Sequence, residues 1–290
     1  MKDEGAVVQD FCVAAVQMIS GNSVAANLAQ AYRLLQQAAA GGAQLVLLPE
    51  NFAHLSDRGS AVAAEPFAGT GEASAERHPI QWALQRWAAE LDIWLVAGAV
   101  PLAERADGAP VPGGRTRSAS LVYDNHGELR ARYDKIHLFD VEVADAAGSY
   151  RESASIEPGD DPCTLDIPWA TLGLSICFDL RFPELYRQLA LAGAEVLLVP
   201  AAFTYVTGQA HWLTLLRARA VENGCFVVAA NQGGEHSPKR RTWGHSVIID
   251  PWGEILAEAG EGEAVLVAKL SADKLATVRR NMPLLDMRRL

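Results

Sequence analysis

Residues 34–49 read LLQQAAAGGAQLVLLP, and residues 186–200 read YRQLALAGAEVLLVP. Each stretch predicts the end of a helix, a glycine stop and a short strand ending in proline, because a brief apolar run between such signals is typical of a buried strand. Residues 120–129 then predict a hairpin with an Asn/Gly-type turn, and residues 246–256 resemble them. Unless generic helix–strand units match here by chance, the chain consists of two similar halves.

The order helix, strand, helix, strand, hairpin occurs roughly twice, and the continuous apolar strands indicate sheets that are covered on their faces. Helices are predicted at 24–40, 79–91, 183–192 and 209–223. Strands are predicted at 11–18, 44–48, 94–100, 171–177, 196–199 and 226–230. Two such sheets stacked face to face with helices outside would form an α/β fold, a four-layer α-β-β-α sandwich with two pseudo-symmetric halves. Residues 103–117 and 141–162 are predicted to be loops.

Composition limits the classes of function. The chain has 290 residues, of which 50% are hydrophobic, enough for one large core or two fused half-domains. Its formal net charge of −10 and its pI near 5.2 disfavour nucleic acid as a partner. The short basic clusters at 239–241 and 288–289 are expected to be solvated.

The first five residues, MKDEG, lack the features of a signal peptide, and no apolar run is long enough to cross a bilayer. Four irregularly spaced cysteines predict neither a disulfide framework nor a zinc site: Cys12, Cys163, Cys177 and Cys225. We therefore expect a soluble, reduced, cytoplasmic protein with no metal, no cofactor and no membrane partner.

Cys177 lies in residues 174–185, LSICFDLRFPEL, where a short apolar run ends at a thiol and a helix follows a charged turn. Pro183 suits the first turn of that helix, and Asp179 is expected to cap it. Such a junction holds a nucleophile at the open end of a sheet, near backbone N–H groups that stabilise an anion. Two other strand ends offer partners, Glu50 and Lys135.

Each of these three residues has a plainer interpretation when taken alone. A cysteine in an apolar run is usually a small buried hydrophobic residue, and a glutamate or lysine at the end of a strand is usually solvated. The coincidence of three complementary reactive groups, each at the edge of a predicted buried element, favours a catalytic site.

Five motifs in this order give the chain its resemblance to the carbon–nitrogen hydrolase (nitrilase) superfamily: LLPE at 47–50, YDKIHLFD at 133–140, ICFDLRFPE at 176–184, HWLTLLRARAVE at 211–222 and WGHSVIIDPWG at 243–253. The chain resembles in particular the branch of deaminated-glutathione amidases. The resemblance covers about residues 11–283, so residues 1–290 are expected to form a single domain. It implies an α-β-β-α sandwich and homodimers or larger homo-oligomers.

The resemblance also implies site residues. It implies a Glu–Lys–Cys triad of Glu50, Lys135 and Cys177, and a second glutamate, Glu152, that positions substrate or Lys135. Two residues depart from the pattern. Phe178 stands where tyrosine is common, which removes a hydroxyl but keeps the backbone N–H, and Leu213 stands where glutamate is frequent.

Hydrolysis of a primary amide at neutral pH needs a strong nucleophile, a stabiliser of the oxyanion and a proton for ammonia. The pKa of a free thiol is about 8.5, so a nearby ammonium would favour the thiolate and a carboxylate would take its proton. The hypothesis is that Glu50 is the general base and Cys177 the nucleophile. Lys135 and the Phe178 N–H would stabilise the oxyanion. The predicted enzyme is a thiol amidohydrolase that cleaves a small carboxylate-bearing amide through a cysteine thioester and releases ammonia.

Alternatives remain open for both substrate and mechanism. An ω-amidase acting on α-ketoglutaramate-like acids is the second enzyme hypothesis, and a catalytically idle interaction protein on the same fold is the third. A Cys–His enzyme would use His211 or His245, each of which is more often structural in such apolar surroundings. Arginines that could bind a substrate carboxylate are Arg151, Arg181 and Arg217. Candidate pocket residues are Phe203, Thr204 and Thr207.

Overall fold

The computed structural model describes residues 9–57, 59–145 and 148–289. In these residues the strands are, in chain order, β1 (Phe11–Gln17), β2 (Leu45–Leu47), β3 (Trp94–Val96), β4 (Val100–Leu102), β5 (Arg117–Tyr123), β6 (Leu129–Asp134), β7 (Asp140–Glu142), β8 (Ser149–Arg151), β9 (Thr164–Asp166), β10 (Thr171–Leu174), β11 (Val196–Ala201), β12 (Phe226–Asn231), β13 (Gly233–Ser237), β14 (Arg240–Trp243), β15 (Val247–Ile249), β16 (Ile255–Glu258) and β17 (Ala264–Leu270). The α-helices are α1 (Val24–Ala40), α2 (Pro79–Leu91), α3 (Pro183–Leu191), α4 (Tyr205–Asn223) and α5 (Ala272–Asn281).

Two large sheets repeat one topology. In the first, β1, β2 and β3 are parallel, and β3 pairs antiparallel with β5, which forms a hairpin with β6. In the second, β10, β11 and β12 are parallel, and β12 pairs antiparallel with β15, which forms a hairpin with β16. The C-terminal strand β17 joins the first sheet beside β1. The predicted pair of pseudo-symmetric halves is confirmed.

The sheets stack on each other and carry helices on their outer faces. Val13 of β1 belongs to a buried cluster that contains Val228 of β12 in the opposite sheet. The next residue, Ala14, belongs to a second cluster together with Leu35 of α1. Successive residues of a strand point to opposite faces, so β1 is buried on both. This is the predicted α-β-β-α sandwich, in which each fully buried Val or Leu contributes about 1.5–3 kcal/mol.

The four predicted helices are present within one residue of their predicted bounds except at the start of α4, and α5 was not predicted. Ser23 caps α1 by accepting from the Ala26 N–H, and Pro183 lies in the first turn of α3 as expected. The helix α4 begins at Tyr205, four residues before its predicted start. The expectation that Asp179 caps α3 is wrong, because the N-cap is Phe182 and no side chain caps that helix.

Two predicted segments differ in detail. The strand predicted at 94–100 is divided into β3 and β4, because Gly98 has a φ of +62°. A Cβ atom at Gly98 would overlap the carbonyl oxygen of Pro49, so only glycine fits there. The predicted loop at 141–162 contains the strand pair β7–β8. No helix in the described part of the chain is long and apolar enough to cross a membrane.

Candidate active site

The ends of strands from both sheets bring the predicted reactive residues to one point. Glu50 follows β2, Lys135 follows β6 directly and Cys177 follows β10. Glu152 follows β8 and begins a short 3-10 turn. Because parallel strands end at a common edge, residues far apart in the chain converge there.

Lys135 is the centre of the cluster. Its Nζ donates to Glu50 Oε1 at 2.9 Å and to Glu152 Oε1 and Oε2 at 2.8 and 2.9 Å. The exposed fractions are 1% for Lys135 and 3% for Glu50. A buried ammonium is stable only when it is paired and hydrogen-bonded, and the two carboxylates meet that need.

Further hydrogen bonds hold Glu50 and Glu152 in place. The Ala202 N–H, at the end of β11, donates to Glu50 Oε2 at 2.9 Å. The Phe139 N–H donates to Glu152 Oε2 at 2.6 Å. Gln232 Nε2 donates to the Glu50 carbonyl oxygen at 3.2 Å. Glu50 is therefore held by Ala202 and Gln232 from the second sheet and by Lys135 from the first. Such pre-organisation is what catalysis favours.

A group of three arginines anchors the segment that carries Glu152. Glu157 accepts from Arg105 at 2.7 and 2.9 Å and from Arg117 at 2.7 Å, and Arg115 lies 3.6 Å away. The Arg105 hydrogen bonds, with further help from Arg117, lower the pKa of Glu157 to about 2. The carboxylate therefore stays charged at neutral pH and holds this segment against β5.

Cys177 has a left-handed backbone, with a φ of +50°, at the first residue of the 3-10 turn Cys177–Arg181. For a residue with a side chain this conformation is strained and persists only when its surroundings enforce it. The first N–H groups of such a turn have no partner within it, and the Phe178 N–H is one of them. The Cys177 thiol therefore lies next to the Phe178 N–H, a backbone donor that has no partner within the turn.

Asp179, which does not cap α3, ties the thiol turn to the lysine segment. Its fully buried carboxylate accepts from the Ile176 N–H at 2.8 Å, the His137 N–H at 2.9 Å and the Tyr133 hydroxyl at 2.7 Å. Ile176 precedes Cys177, and the other two residues flank Lys135. The Asp179 carboxylate thus fixes the separation between the turn that carries Cys177 and the segment that carries Lys135.

Burial and charge set the protonation states. Burial alone would lower the pKa of Lys135, but Glu152, Glu50 and Cys177 together hold it well above its ordinary value. Burial and then the Glu50 carboxylate raise the pKa of the Cys177 thiol well above its usual range, against the opposing Lys135 ammonium. Burial also raises the pKa of Glu152. In the resting cluster Lys135 is therefore an ammonium and Cys177 a neutral thiol.

A cavity of about 440 Å³ opens from this cluster and is lined by Glu50, Lys135, Glu152 and Cys177 together with others. The predicted pocket residues Phe203, Thr204 and Thr207 line it, as do Phe178 and Arg151. Its size is within the range of sites for small molecules.

Several other predicted residues do not line the cavity. Arg181 stacks on the rings of Phe178 and Phe203 and contacts His211 Nδ1 at 3.2 Å, so it supports the wall from behind. Arg217 donates to the Gly253 carbonyl oxygen, and His245 stacks on Trp243. Since neither His211 nor His245 lines the cavity, the geometry offers no support for a Cys–His enzyme. Leu213 packs against the core.

The sequence reasoning missed the basic residues of the β13–β14 turn. Lys239 and Arg240 line the cavity, although the cluster at 239–241 was expected to be solvated. Lys239 and Arg241 are nevertheless exposed, as expected of solvated residues, and Arg241 pairs with Glu261 at 2.7 Å. In the sequence, Lys239 and Arg240 are a basic pair of a kind that is common on any protein surface, so nothing local distinguished them as cavity residues. In the described residues no group of three metal-ligating side chains converges.

Comparison with known proteins gives the same family over nearly the whole chain. The family model described as carbon–nitrogen hydrolase matches residues 12–280. The deaminated glutathione amidase of Yersinia enterocolitica is 40% identical over 280 residues, covering 96% of this chain and 92% of its own. That of Synechocystis sp. is 42% identical over 285 residues, covering 97% and 99%. The human omega-amidase NIT2 is 34% identical over 281 residues, covering 96% and 95%.

Solved structures agree. Saccharomyces cerevisiae Nit3, a member of branch 10 of the nitrilase superfamily, superposes with a TM-score of 0.84 at 30% identity, covering 99% of both chains. A mutant of the amidase from Nesterenkonia sp. AN1, with acrylamide joined to the active-site cysteine by Michael addition, gives a TM-score of 0.73 at 30% identity, covering 93% of this chain and 99% of that one.

Proposed function

The chain belongs to the carbon–nitrogen hydrolase family and is a hydrolase of C–N bonds other than peptide bonds; we propose that it cleaves the amide of a small carboxylate-bearing substrate through a thioester on Cys177. The observation that carries this proposal is the buried Lys135 ammonium, held between Glu50 and Glu152 in the cavity that Cys177 also lines. A base, a cation and a nucleophile in one enclosed space are what amide hydrolysis needs.

In the acylation step Glu50 takes the proton of the Cys177 thiol as the sulfur attacks the amide carbonyl carbon. Proton transfer at the moment of attack suits a thiol whose pKa is raised by burial, because a free thiolate beside Glu50 would add a second uncompensated charge to the cluster. Lys135 Nζ and the Phe178 N–H donate to the oxyanion. Protonated Glu50 then gives its proton to the departing nitrogen, and the C–N bond breaks.

In the second step water cleaves the thioester. Glu50, a carboxylate again, takes a proton from the water as its oxygen attacks the thioester carbon, and the same donors hold the oxyanion. The C–S bond breaks, protonated Glu50 returns its proton to the sulfur, and the carboxylic acid leaves. Glu152 contacts Lys135 through both oxygens, so it acts by positioning the ammonium.

We propose deaminated glutathione as the substrate, since relatives of that name match at 40% and 42% identity over almost the whole chain. Replacing the glutamyl amino group of glutathione by a ketone leaves an α-ketoglutaryl group on the cysteine nitrogen. Cleavage therefore releases cysteinylglycine. Ammonia, which the sequence predicts as the product of a primary amide, is not released from this substrate.

The second candidate is ω-amidase activity on α-ketoglutaramate, favoured by the 34% identity to the human omega-amidase. Its acyl group is the same α-ketoglutaryl group, and only here is ammonia the leaving group. Both candidates thus share one thioester and differ on the amine side alone.

We also propose a homodimer or larger assembly in the cytoplasm. Exposed apolar residues on α3 and α4, the helices next to the thiol turn, support the assembly: Leu191, Val206 and Val221. Four free cysteines support a reducing compartment.

The test is production of α-ketoglutarate from the two substrates side by side, with Cys177→Ala protein as the control. Faster turnover of deaminated glutathione, lost in the mutant, supports the first proposal. A preference for α-ketoglutaramate supports the second. Production from neither, with iodoacetamide labelling all four cysteines equally, favours the idle interaction protein.

A further inference from the structure

The outer part of the cavity carries positive charge that the catalytic cluster does not use. Lys239 and Arg240 line the cavity from the turn between β13 and β14. Neither side chain forms an ion pair with a described residue, whereas Arg151, which also lines the cavity, pairs with Glu142 at 2.6 Å. Asp57 also lines the cavity, where its carboxylate accepts from the Ser237 hydroxyl at 2.6 Å. Lys239 and Arg240 have no such ion-pair partner among the described residues, and in a chain with a formal net charge of −10 a basic pair of this kind attracts anions locally.

The β13–β14 hairpin is fixed to the cavity wall, so these two residues have a defined position. Trp243 donates its N–H to the Phe203 carbonyl oxygen at 3.0 Å, and Thr242 bridges to Thr204. His236 contacts the Ser20 carbonyl oxygen and the Thr242 hydroxyl, both at 2.7 Å. A rigid support of this kind is what a binding subsite requires.

The direction of the reaction orients the substrate in the cavity. The acyl group stays bound to buried Cys177 after the first step, while the amine must leave and water must enter. The amine side of the substrate therefore faces the open end. Lys239 is exposed and Arg240 half-buried, in contrast to the buried cluster around Lys135, so the basic pair lies toward that end.

We propose that Lys239 and Arg240 form a subsite for a carboxylate on the amine side of the scissile amide, so that the enzyme selects amides whose leaving group is a peptide-like amine with a free carboxyl terminus. This proposal rests on the proposed function and names the residues that would discriminate between its two candidate substrates. Deaminated glutathione and α-ketoglutaramate share an acyl group and differ only in the leaving group. Guanidinium and ammonium groups bind carboxylates through charge-assisted hydrogen bonds.

The test compares kcat/KM for deaminated glutathione and for its C-terminal carboxamide, which lacks only the terminal charge. We expect wild-type protein to prefer the acid by about 10- to 100-fold, the range of one or two charge-assisted hydrogen bonds. The preference should decrease in each of the single variants Lys239→Gln and Arg240→Gln, and it should be lost in the double variant. The matched control is Arg241→Gln, one residue further along, because Arg241 faces Glu261 and Tyr205 rather than the cavity.

An equal loss on both substrates would assign the pair a structural role and overturn the proposal, as would an unchanged preference in the double variant. If wild-type protein hydrolyses neither compound, the proposed function fails, and binding of the same two compounds to Cys177→Ala protein decides the subsite. Tighter binding of the acid, lost in the double variant, supports it, and equal binding of both compounds overturns it.

Discussion

In the proposed mechanism the reaction begins at the Cys177 thiol, so its ionisation can be tested directly. Burial and the Glu50 carboxylate raise the pKa of this thiol, so it stays protonated until the pH passes the raised value. We expect thiolate ultraviolet absorbance, taken as the difference between wild-type and Cys177→Ala protein, to be absent at neutral pH and to grow only above the range in which an ordinary thiol titrates. A titration step below about pH 7 would contradict a neutral resting thiol.

Lys135 is proposed to donate to the oxyanion, and its ion pairs with Glu50 and Glu152 also bear on stability. Lys135→Gln should lower kcat by about 100-fold or more, the effect of one oxyanion donor. It should lower the free energy of unfolding by about 3–5 kcal/mol at neutral pH, because the buried Glu50 and the partly buried Glu152 lose their cation. Acidification should restore part of that stability, since the pKa of Glu152 is already raised by burial and protonation removes the uncompensated charge.

Urea unfolding of the Lys135→Gln protein at neutral and acidic pH measures the loss of stability and its partial recovery in acid. Lys269→Gln is the control, because Lys269 forms an exposed ion pair with Asp10 at 2.8 Å and such pairs contribute little. Equal stability of the two variants at neutral pH would refute the role assigned to Lys135.

At the residue scale the sequence predicted which side chains the structure brings together at the cavity, but not the contacts that support them. Glu50, Lys135 and Cys177 were recognisable because each has distinctive chemistry at a predicted strand end. Asp179 was misassigned because its nearest predicted element, α3, offered a simple role, whereas its partners at Tyr133 and His137 lie more than forty residues away. Long-range contacts of this kind leave no local pattern.

At the scale of elements, Gly98 between β3 and β4 allows a prediction about stability and activity. Gly98→Ala should lower the free energy of unfolding by about 3 kcal/mol or more, because a Cβ would overlap the Pro49 carbonyl oxygen in addition to the strain of a positive φ. It should also lower kcat, since Pro49 precedes Glu50. Chemical unfolding and α-ketoglutarate production measure the two effects.

The matched control is Gly42→Ala. Gly42 also has a positive φ, of +85°, but no atom of a neighbouring segment lies within 4 Å of the point that a Cβ would occupy there. The substitution should cost only the strain, about 1–2 kcal/mol, and leave kcat unchanged. Equal losses of stability in the two variants would contradict the close approach at Pro49.

Element positions were predictable where periodicity or an apolar run was long. The helix α1 matches its predicted bounds, and Ser23 supplies a regular cap. The division of the strand at Gly98 and the hairpin β7–β8 were not predicted, because both depend on neighbouring segments rather than on local composition.

At the scale of the whole molecule, the two sheets share one buried cluster, to which Val13 of the first sheet and Val228 of the second belong. Neither half can bury its inner face alone, so we expect one cooperative unfolding transition, with circular dichroism and tryptophan fluorescence curves coinciding. Two separated transitions would mean that the halves are independent domains.

The internal similarity of residues 34–49 and 186–200 was enough to predict the sandwich, because a repeated helix–strand unit with covered strands has few stable arrangements. The alignment of one sheet on the other was not predictable. It depends on contacts such as the Ser246 N–H donating to Gln17 Oε1 at 2.8 Å, across 229 residues.

The most direct measurement is the intact mass of the protein after acid quenching during turnover of deaminated glutathione or α-ketoglutaramate. The same α-ketoglutaryl mass increase should appear with both, map to the peptide containing Cys177 and disappear, together with turnover, in Cys177→Ala protein. Turnover by Cys177→Ala protein, or an acyl group on another residue, would contradict thioester catalysis at this site.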